Sequence, residues 1–312
     1  MVRKKRGKPV NGWLVLDKSA GLTSAKSVFN VRKILKAQKA GHAGTLDPMA
    51  TGILPIALGE ATKTVPYLVK REKNYRFTAK FGEARDTDDS EGAVIQTSDT
   101  RPENRLIKSQ LNNFLGDIWQ VPPIYSALWV DGERSYKRAR NGTGRLPAAR
   151  KVNVKSFSLL SRPDKDTAIF EVTCGKGTYI RSLVRDLGVK LGTVAYVSEL
   201  RRTSCGPFIE KSAISLDKLA ISVVCAPPQE YLLSVSAALD DIPALALTET
   251  QAVLLRHGRS VQLLKDKIKF VEPSTSKAMG DGDVLCAMSG EKLVALVRFQ
   301  DGEIRPIRVL NL

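Results

Sequence analysis

The run Gly41-His42-Ala43-Gly44-Thr45-Leu46-Asp47-Pro48 places a single carboxylate, Asp47, where glycines let a large ligand approach the backbone. Proline after the acid keeps Asp47 out of the helical region, in an extended or turn conformation. A carboxylate presented in this way points to chemistry, although an aspartate that merely caps the next element carries the same local pattern. Other constellations are excluded by residue type and spacing. No Gly-x-Gly-x-x-Gly follows a strand pattern, and there is no phosphate loop ending in Gly-Lys-Ser or Gly-Lys-Thr. His42 and His257 are the only histidines, so a zinc site or a Ser-His-Asp triad would need an unusual arrangement. The acidic residues Glu83, Asp86, Asp88, Asp89 and Glu91 do not make a calcium loop, because Gly92 is one place late and position twelve is Thr97. They read as turn carboxylates that hold basic side chains. What remains for chemistry is a loop acid (Asp47), a strand-borne tyrosine (Tyr75) and a helix-borne arginine (Arg181).

The elements that position these residues follow from hydrophobic periodicity. Gly12 to Asp17 reads as a strand, followed by a helix that Thr23 caps. In that helix Val28, Val31 and Leu35 recur at i, i+3 and i+7, and Gly41 is expected to end the segment. Arg32, Lys33, Lys36 and Lys39 fall off the apolar stripe, so the element before the Asp47 loop is apolar inside and basic outside. From Asn74 to Phe81, Tyr75, Phe77, Ala79 and Phe81 take one face of a strand and Arg76, Thr78 and Lys80 the other. A strand from Ala168 to Cys174 feeds the turn Gly175-Lys176-Gly177 and then a helix with Ile180, Leu183, Val184 and Leu187 on one stripe. Arg181 and Arg185 lie one turn apart on its other side. Residues 137–151 hold six basic and no acidic residues and read as a long surface loop able to close over a phosphate backbone.

Near residues 226–245 the composition shifts. Thr248 with Gln251 then forms a capping-box start for a helix that Gly258 ends. Val284 to Met288, Lys292 to Phe299 and Glu303 to Leu310 follow as short strands. The expected fold class is α+β, with a mainly antiparallel mixed sheet and a small C-terminal β-barrel. The expected organisation is a basic flexible arm over 1–9, a catalytic domain over 10–240 with a basic insert at about 124–152, and the terminal module over 245–312.

Composition narrows the class of partner. The chain of 312 residues has 49 Lys plus Arg against 32 Asp plus Glu, a net charge of 49 − 32 = +17, which favours a polyanion and in particular nucleic acid. Cys174, Cys205, Cys225 and Cys286 are far apart, with no Cys-x-x-Cys, so reduced thiols are expected. The apolar run Trp13-Leu14-Val15-Leu16 is too short for a signal-peptide core, and no run approaches the roughly 18 residues of a membrane span. These features lead us to expect a soluble protein of the cytoplasm with no membrane association.

A resemblance connects the loop acid, the tyrosine and the arginine. Gly41 to Pro48, continued by Met49-Ala50-Thr51-Gly52-Ile53-Leu54-Pro55 and on to Lys63, resembles the nucleophile motif of the pseudouridine synthases, of the TruB type that modifies uridine 55 of tRNA. Asn74-Tyr75-Arg76 is similar to the second motif of that family, whose tyrosine stacks on the target base. Cys174-Gly175-Lys176-Gly177-Thr178-Tyr179-Ile180-Arg181-Ser182-Leu183 is similar to the third, whose arginine pairs with the catalytic aspartate. Gln120-Val121-Pro122-Pro123-Ile124-Tyr125-Ser126-Ala127 and Ser198-Glu199-Leu200-Arg201-Arg202-Thr203 also fit, and the likeness runs in family order from about residue 10 to residue 210. The terminal module resembles a PUA domain, an RNA-binding fold. Three positions depart from the family pattern: Ser19 for a usual proline, Trp129 for a usual lysine and Gly175 for a usual serine.

The resemblance implies the pseudouridine synthase fold, an isomerase, and Asp47, Arg181 and Tyr75 as catalytic residues. It implies His42, Tyr75, Tyr179, Leu200, Lys18, Lys63 and Lys176 as substrate-binding residues, with His42 holding the RNA loop open where the base has left. It implies the T-arm and acceptor stem of tRNA as partner, and no cofactor, metal, membrane or obligatory protein partner. The chemistry agrees with these residue types. The N1–C1′ bond breaks, the uracil turns, and C5 joins C1′, with no redox change and no group donor. The uridine must leave its stack, at a cost of a few kcal/mol. Tyr75 and Tyr179 offer aromatic surface for the base, and a neighbouring Arg181 favours the charged form of Asp47. Two other readings share the residues: a guide-RNA-dependent synthase acting on rRNA, and an RNA-folding helper in which catalysis is secondary.

Overall fold

The computed structural model describes residues 7–130, 132–227, 230–263 and 280–312. Arg3, Lys4, Lys5 and Arg6 of the expected basic arm lie outside the described residues. The chain runs β1 (Gly12–Lys18), α1 (Ser24–Ile34), β2 (Ala40–His42), β3 (Thr51–Leu58), α2 (Val65–Lys70), β4 (Lys73–Phe81), β5 (Glu83–Arg85), β6 (Val94–Thr97), α3 (Asn104–Leu111) and β7 (Gly116–Gln120). It continues β8 (Trp129–Val130), β9 (Glu133–Arg134), α4 (Ser135–Arg140), β10 (Arg150–Ser161), β11 (Thr167–Cys174), α5 (Ile180–Lys190), β12 (Ala195–Cys205), β13 (Phe208–Ile209) and α6 (Leu216–Cys225). The C-terminal part holds β14 (Ala244–Ala246), α7 (Glu249–Arg256), β15 (Val261–Gln262), β16 (Val284–Ser289), β17 (Lys292–Gln300) and β18 (Glu303–Val309).

Among the described residues, nine strands form the main sheet in the order β1-β3-β12-β4-β11-β10-β7, with β2 added on β3 and β13 on β12. The pairing is antiparallel except where β12 meets β3, Arg201 opposite Thr51 and Arg202 opposite Gly52. This is the expected α+β class with a mainly antiparallel mixed sheet. The C-terminal strands form a separate sheet, β14-β16-β17-β18-β15, which curls as a half-barrel beside α7. Thr248 and Gln251 form the expected reciprocal cap of α7.

The apolar pattern explains both cores. On β1, Leu14 and Leu16 point into one cluster while Trp13 and Val15 point into another, so the strand reads as an unbroken apolar run. The first cluster packs one sheet face against α3, α5 and α6, through Phe77, Phe157 and Phe170 with Leu183, Leu187 and Leu219. Phe77 stacks on Phe170 with centroids 5.5 Å apart. Trimming such a residue, which is 1% exposed, to Ala costs about 3–5 kcal/mol. The second cluster joins Trp13, Ile53 and Phe208 to Cys286, Leu293, Leu296 and Leu310 of the C-terminal sheet.

Two local expectations are corrected. Gly41 does not end the first helix. The helix stops at Ile34 with Leu35 as cap, Lys36 takes the left-handed φ of 49°, and Gly41 pairs with Ala57 inside β2. The apolar repeat ends at Leu35, and beyond it nothing holds a helical face to the core. Residues 137–151 are not one long loop. Lys137 to Arg140 lie in α4, whose Ala and Arg residues favour helix, and Arg150 opens β10.

Candidate active site

Asp47 sits in the loop between β2 and β3, and the surrounding residues fix that loop from three sides. Ser24, the first residue of α1, donates its hydroxyl to the Leu46 carbonyl at 3.0 Å and accepts the Leu46 N–H at 2.8 Å. Lys18 is 1% exposed and donates to the carbonyls of Ser19 (2.9 Å), Leu22 (2.8 Å) and Pro48 (3.1 Å). Arg202 is equally buried and donates Nε to the Ile53 carbonyl at 2.7 Å and Nη2 to the Gly44 carbonyl at 3.0 Å. Gly52 is required for this fit: its φ is +95°, and a Cβ there would stand 2.2 Å from the Arg202 carbonyl oxygen.

Arg181, in the first turn of α5, is only 3% exposed. Its Nε lies 2.9 Å from Asp47 Oδ2, a charge contact whose N–H is not aligned as a hydrogen bond. The remaining nitrogens reach elsewhere: Nη1 donates to the Thr87 carbonyl at 2.8 Å and lies 3.5 Å from Asp89 Oδ2, and Nη2 donates to the Tyr125 carbonyl at 3.0 Å. One guanidinium thus ties together the Asp47 loop, the turn after β5 and the start of the basic insert. Asp89 is itself held by the Thr87 hydroxyl at 2.6 Å and the Glu91 N–H at 3.1 Å. One turn along α5, Arg185 pairs with Asp88 at 3.0 Å. These contacts bear out the reading of the acidic cluster as carboxylates that hold basic side chains.

The Asp47 side chain, 29% exposed, faces a cleft of about 260 Å³ that Tyr75, Tyr179, Leu200, Lys176 and Arg202 also line. Tyr75 comes from the buried face of β4, Leu200 and Arg202 from one face of β12, and Lys176 from the turn after β11. Tyr179 is fixed through its backbone, which accepts from Gln120 Nε2 at 3.1 Å and donates to Gln120 Oε1 at 2.8 Å. The Arg150 guanidinium lies over the Tyr179 ring, 4.8 Å from its centroid.

Burial dominates the titration of the site. It pushes the Tyr75 hydroxyl up to about 12, with the Arg202 charge and hydrogen bond pulling the other way. It pushes Lys18 down to about 8 against the opposing pull of Asp47, and raises the Cys174 thiol to about 11. Lys73 is lowered by burial first and is held by the carbonyls of Val69 (2.6 Å) and Arg71 (2.5 Å) at the end of α2. The arrangement gives one half-exposed carboxylate beside a buried cation, under a cleft with two tyrosine rings. It suits attack on C1′ or C6, or removal of a sugar proton, in a nucleoside with a flat, neutral base.

The structure brings Asp47, Arg181, Tyr75, Tyr179, Leu200 and Lys176 together and leaves three expected site residues apart. Lys18 stands behind the loop with its ammonium taken up by three carbonyls. His42 is on β2, half-buried, outside the cleft lining, with its pKa lowered by burial and then by Arg202. Lys63 binds Glu60 at 2.7 Å and the Val309 carbonyl at 2.8 Å, which ties the strand end of the C-terminal sheet to the catalytic part. Arg202 and Asp89, quoted from the sequence but not expected at the site, and Lys73, not expected at all, also belong to it. Arg202 had a signal, since strand alternation puts it on the face of Leu200. Among the described residues, no group of three or more His, Cys, Asp or Glu could hold a metal ion.

The chain is similar to several known proteins. A family model described as TruB family pseudouridylate synthase (N terminal domain) matches residues 32–180, and one described as tRNA pseudouridylate synthase B C-terminal domain matches residues 181–240. The tRNA pseudouridine synthase B of Gluconacetobacter diazotrophicus is 51% identical over 310 residues, covering 99% of this chain and 100% of the relative. That of Rhodospirillum rubrum is 47% identical over 312 residues, covering 100% of both. A chain in a solved structure of an H/ACA RNP bound to a substrate RNA containing 2′-deoxyuridine superposes with a TM-score of 0.74 at 25% identity, covering 100% of this chain and 92% of that one.

Proposed function

Because the chain belongs to the TruB family of pseudouridylate synthases, we propose that it isomerises uridine 55 in the T-loop of tRNA to pseudouridine, without a guide RNA. The observation that carries this reading is the 2.9 Å contact between Arg181 and Asp47 on the wall of a cleft that holds Tyr75 and Tyr179. The uridine swings out of its stack into the cleft, where Tyr75, Leu200 and Tyr179 take the base. Asp47, 2.9 Å from the Arg181 guanidinium, is the carboxylate that acts on the bound nucleoside, at C1′, at C6 or at a sugar proton. The N1–C1′ bond breaks with its electrons going to the base, the base turns, and C5 bonds to C1′. The C5 proton is lost and N1 gains one, so the reaction balances as an isomerisation. Such a sequence needs neither metal nor cofactor.

In this reading Lys176, exposed at the cleft mouth, meets a phosphate, and the insert at about 124–152 closes on the T-arm. The C-terminal sheet acts as a PUA-like module on the acceptor stem, and the enzyme works in the cytoplasm. His42 and Lys63 contact RNA outside the cleft, and Lys18 acts by holding the Asp47 loop.

The test is to map pseudouridine in an unmodified tRNA transcript after incubation with the purified protein alone. Conversion at position 55 is expected, and Asp47→Asn should abolish it. Conversion that needs a guide RNA, or an active Asp47→Asn protein, overturns the reading.

A further inference from the structure

Three arginine guanidiniums lie over aromatic rings around the cleft. Arg150 covers Tyr179 at 4.8 Å, Arg134 covers Trp129 at 4.7 Å, and Arg140 covers Tyr136 at 5.7 Å. Tyr179 belongs to the cleft already described. Trp129 does not, yet it directly follows Ala127 and Leu128, which line that cleft. It sits on the two-stranded ribbon of β8 and β9, where Trp129 pairs with Arg134 and Val130 with Glu133.

The indole of Trp129 is 64% exposed. Leaving the largest apolar side chain in water gives up the hydrophobic gain that its burial would bring, so packing within this chain does not account for it. Its surroundings do suggest an occupant. Arg134 also donates to the Ala127 carbonyl, which anchors the guanidinium to the bend just before β8 and sets it over one face of the ring. Among the described residues no other ring stacks on Trp129, and the 64% exposure of the residue leaves aromatic surface in solvent. Among the described residues of the same insert Lys137, Arg140 and Arg145 are exposed, with Glu133 as the acid beside them. A flat aromatic backed by a cation in basic surroundings suits a flat, uncharged ring carried on an anionic backbone.

We propose that Trp129 is a stacking platform for an unpaired nucleobase of the RNA, one that neighbours the reacting uridine. The proposal rests on the assignment of an RNA substrate given above. Flipping one base from a loop leaves its neighbours without a stacking partner, and an indole just outside the cleft mouth replaces that partner. Every base has a π face, so the platform strengthens binding with little sequence preference.

The test uses the full-length protein. Trp13 is fully buried and Trp119 is 72% exposed, so Trp119→Phe makes Trp129 the main solvent-exposed fluorophore. Titration with tRNA transcript should quench its emission, and the quenching should be missing when Trp129→Phe is added. Trp129→Ala should weaken tRNA binding by about 5- to 150-fold, the effect of one stacked base, without a change in Tm. Affinity for a fully base-paired RNA duplex should be the same in the variant and the natural protein. Unchanged emission and tRNA affinity, or an equal loss on the duplex, overturns the platform. Failure of the natural protein to modify tRNA would instead refute the assigned activity, and the binding titration separates the two outcomes.

Discussion

Substituting Asp47 and Arg181 one at a time separates chemistry from architecture, because their mutual contact is unequal in its surroundings. Asp47→Asn keeps the shape of a side chain that is 29% exposed, and it leaves Arg181 with Asp89 at 3.5 Å and the carbonyls of Thr87 and Tyr125. The loss is that of a partly solvated pair, about 0–1 kcal/mol. Arg181→Met differs in kind. Its guanidinium is 3% exposed and Asp89 is 4% exposed, so removal strands a buried carboxylate and two carbonyls. Breaking such a buried pair costs about 3–5 kcal/mol. At about 2–4 °C per kcal/mol for a chain of this order, Tm should fall by about 6–20 °C. Both variants should be inactive in a single-turnover assay on tRNA transcript at 20–25 °C, roughly room temperature, while calorimetry shows only Arg181→Met to be unstable. A Tm for Arg181→Met within about 2 °C of the natural protein, or an equal fall for Asp47→Asn, would refute this account of the buried arginine.

Lys18→Met should slow turnover by about ten- to a hundredfold, the effect of a misplaced loop, with tRNA affinity unchanged. Weakened affinity at full turnover would make Lys18 an RNA contact instead. Burial pushes the Asp88 carboxyl up to about 6 even though Arg185 is 3.0 Å away. The folded state therefore holds a proton that the unfolded chain releases, and the contribution of Asp88 to stability is full below about pH 4 and lost as pH rises through 6. Calorimetry should show the natural protein gaining in Tm on Asp88→Asn between about pH 7.5 and pH 5, and the opposite trend would mean an ordinary ion pair. Lys137→Gln and Arg145→Gln, both exposed on the insert, should each flatten the dependence of log Kd on log salt by about one. An unchanged slope would remove the insert from the RNA interface.

Periodicity in the sequence revealed the parts of the fold that depend on apolar burial. The alternation around Tyr75, Phe77, Ala79 and Phe81, and the stripe of Ile180, Leu183, Val184 and Leu187, lie where expected because water exclusion imposes periods of 2 and 3.6. Buried charge leaves no such pattern. Arg181, expected on the outer side of its helix, is enclosed because Asp47, Asp89 and two carbonyls come to it from segments far away in sequence. Lys18 reads as a ligand-facing cation, while the structure engages its ammonium with three carbonyls that no local pattern announces. Lys63 likewise serves the seam with the C-terminal sheet. The motif order named Asp47, Tyr75, Lys176, Tyr179, Arg181 and Leu200, which the structure brings together, but spacing alone did not show that Arg202 lines the same cleft.

The grip of Arg202 on Gly44 and Ile53 also has a consequence for the order of events during synthesis. The aspartate loop leaves the ribosome early, whereas the strand that seats it arrives 202 − 47 = 155 residues later. At about 5–20 residues per second, that gap is roughly 8–31 seconds. Through that interval the nascent chain carries Asp47 without the arginine that seats its loop, and the complete cleft first exists when β12 enters the sheet between β3 and β4.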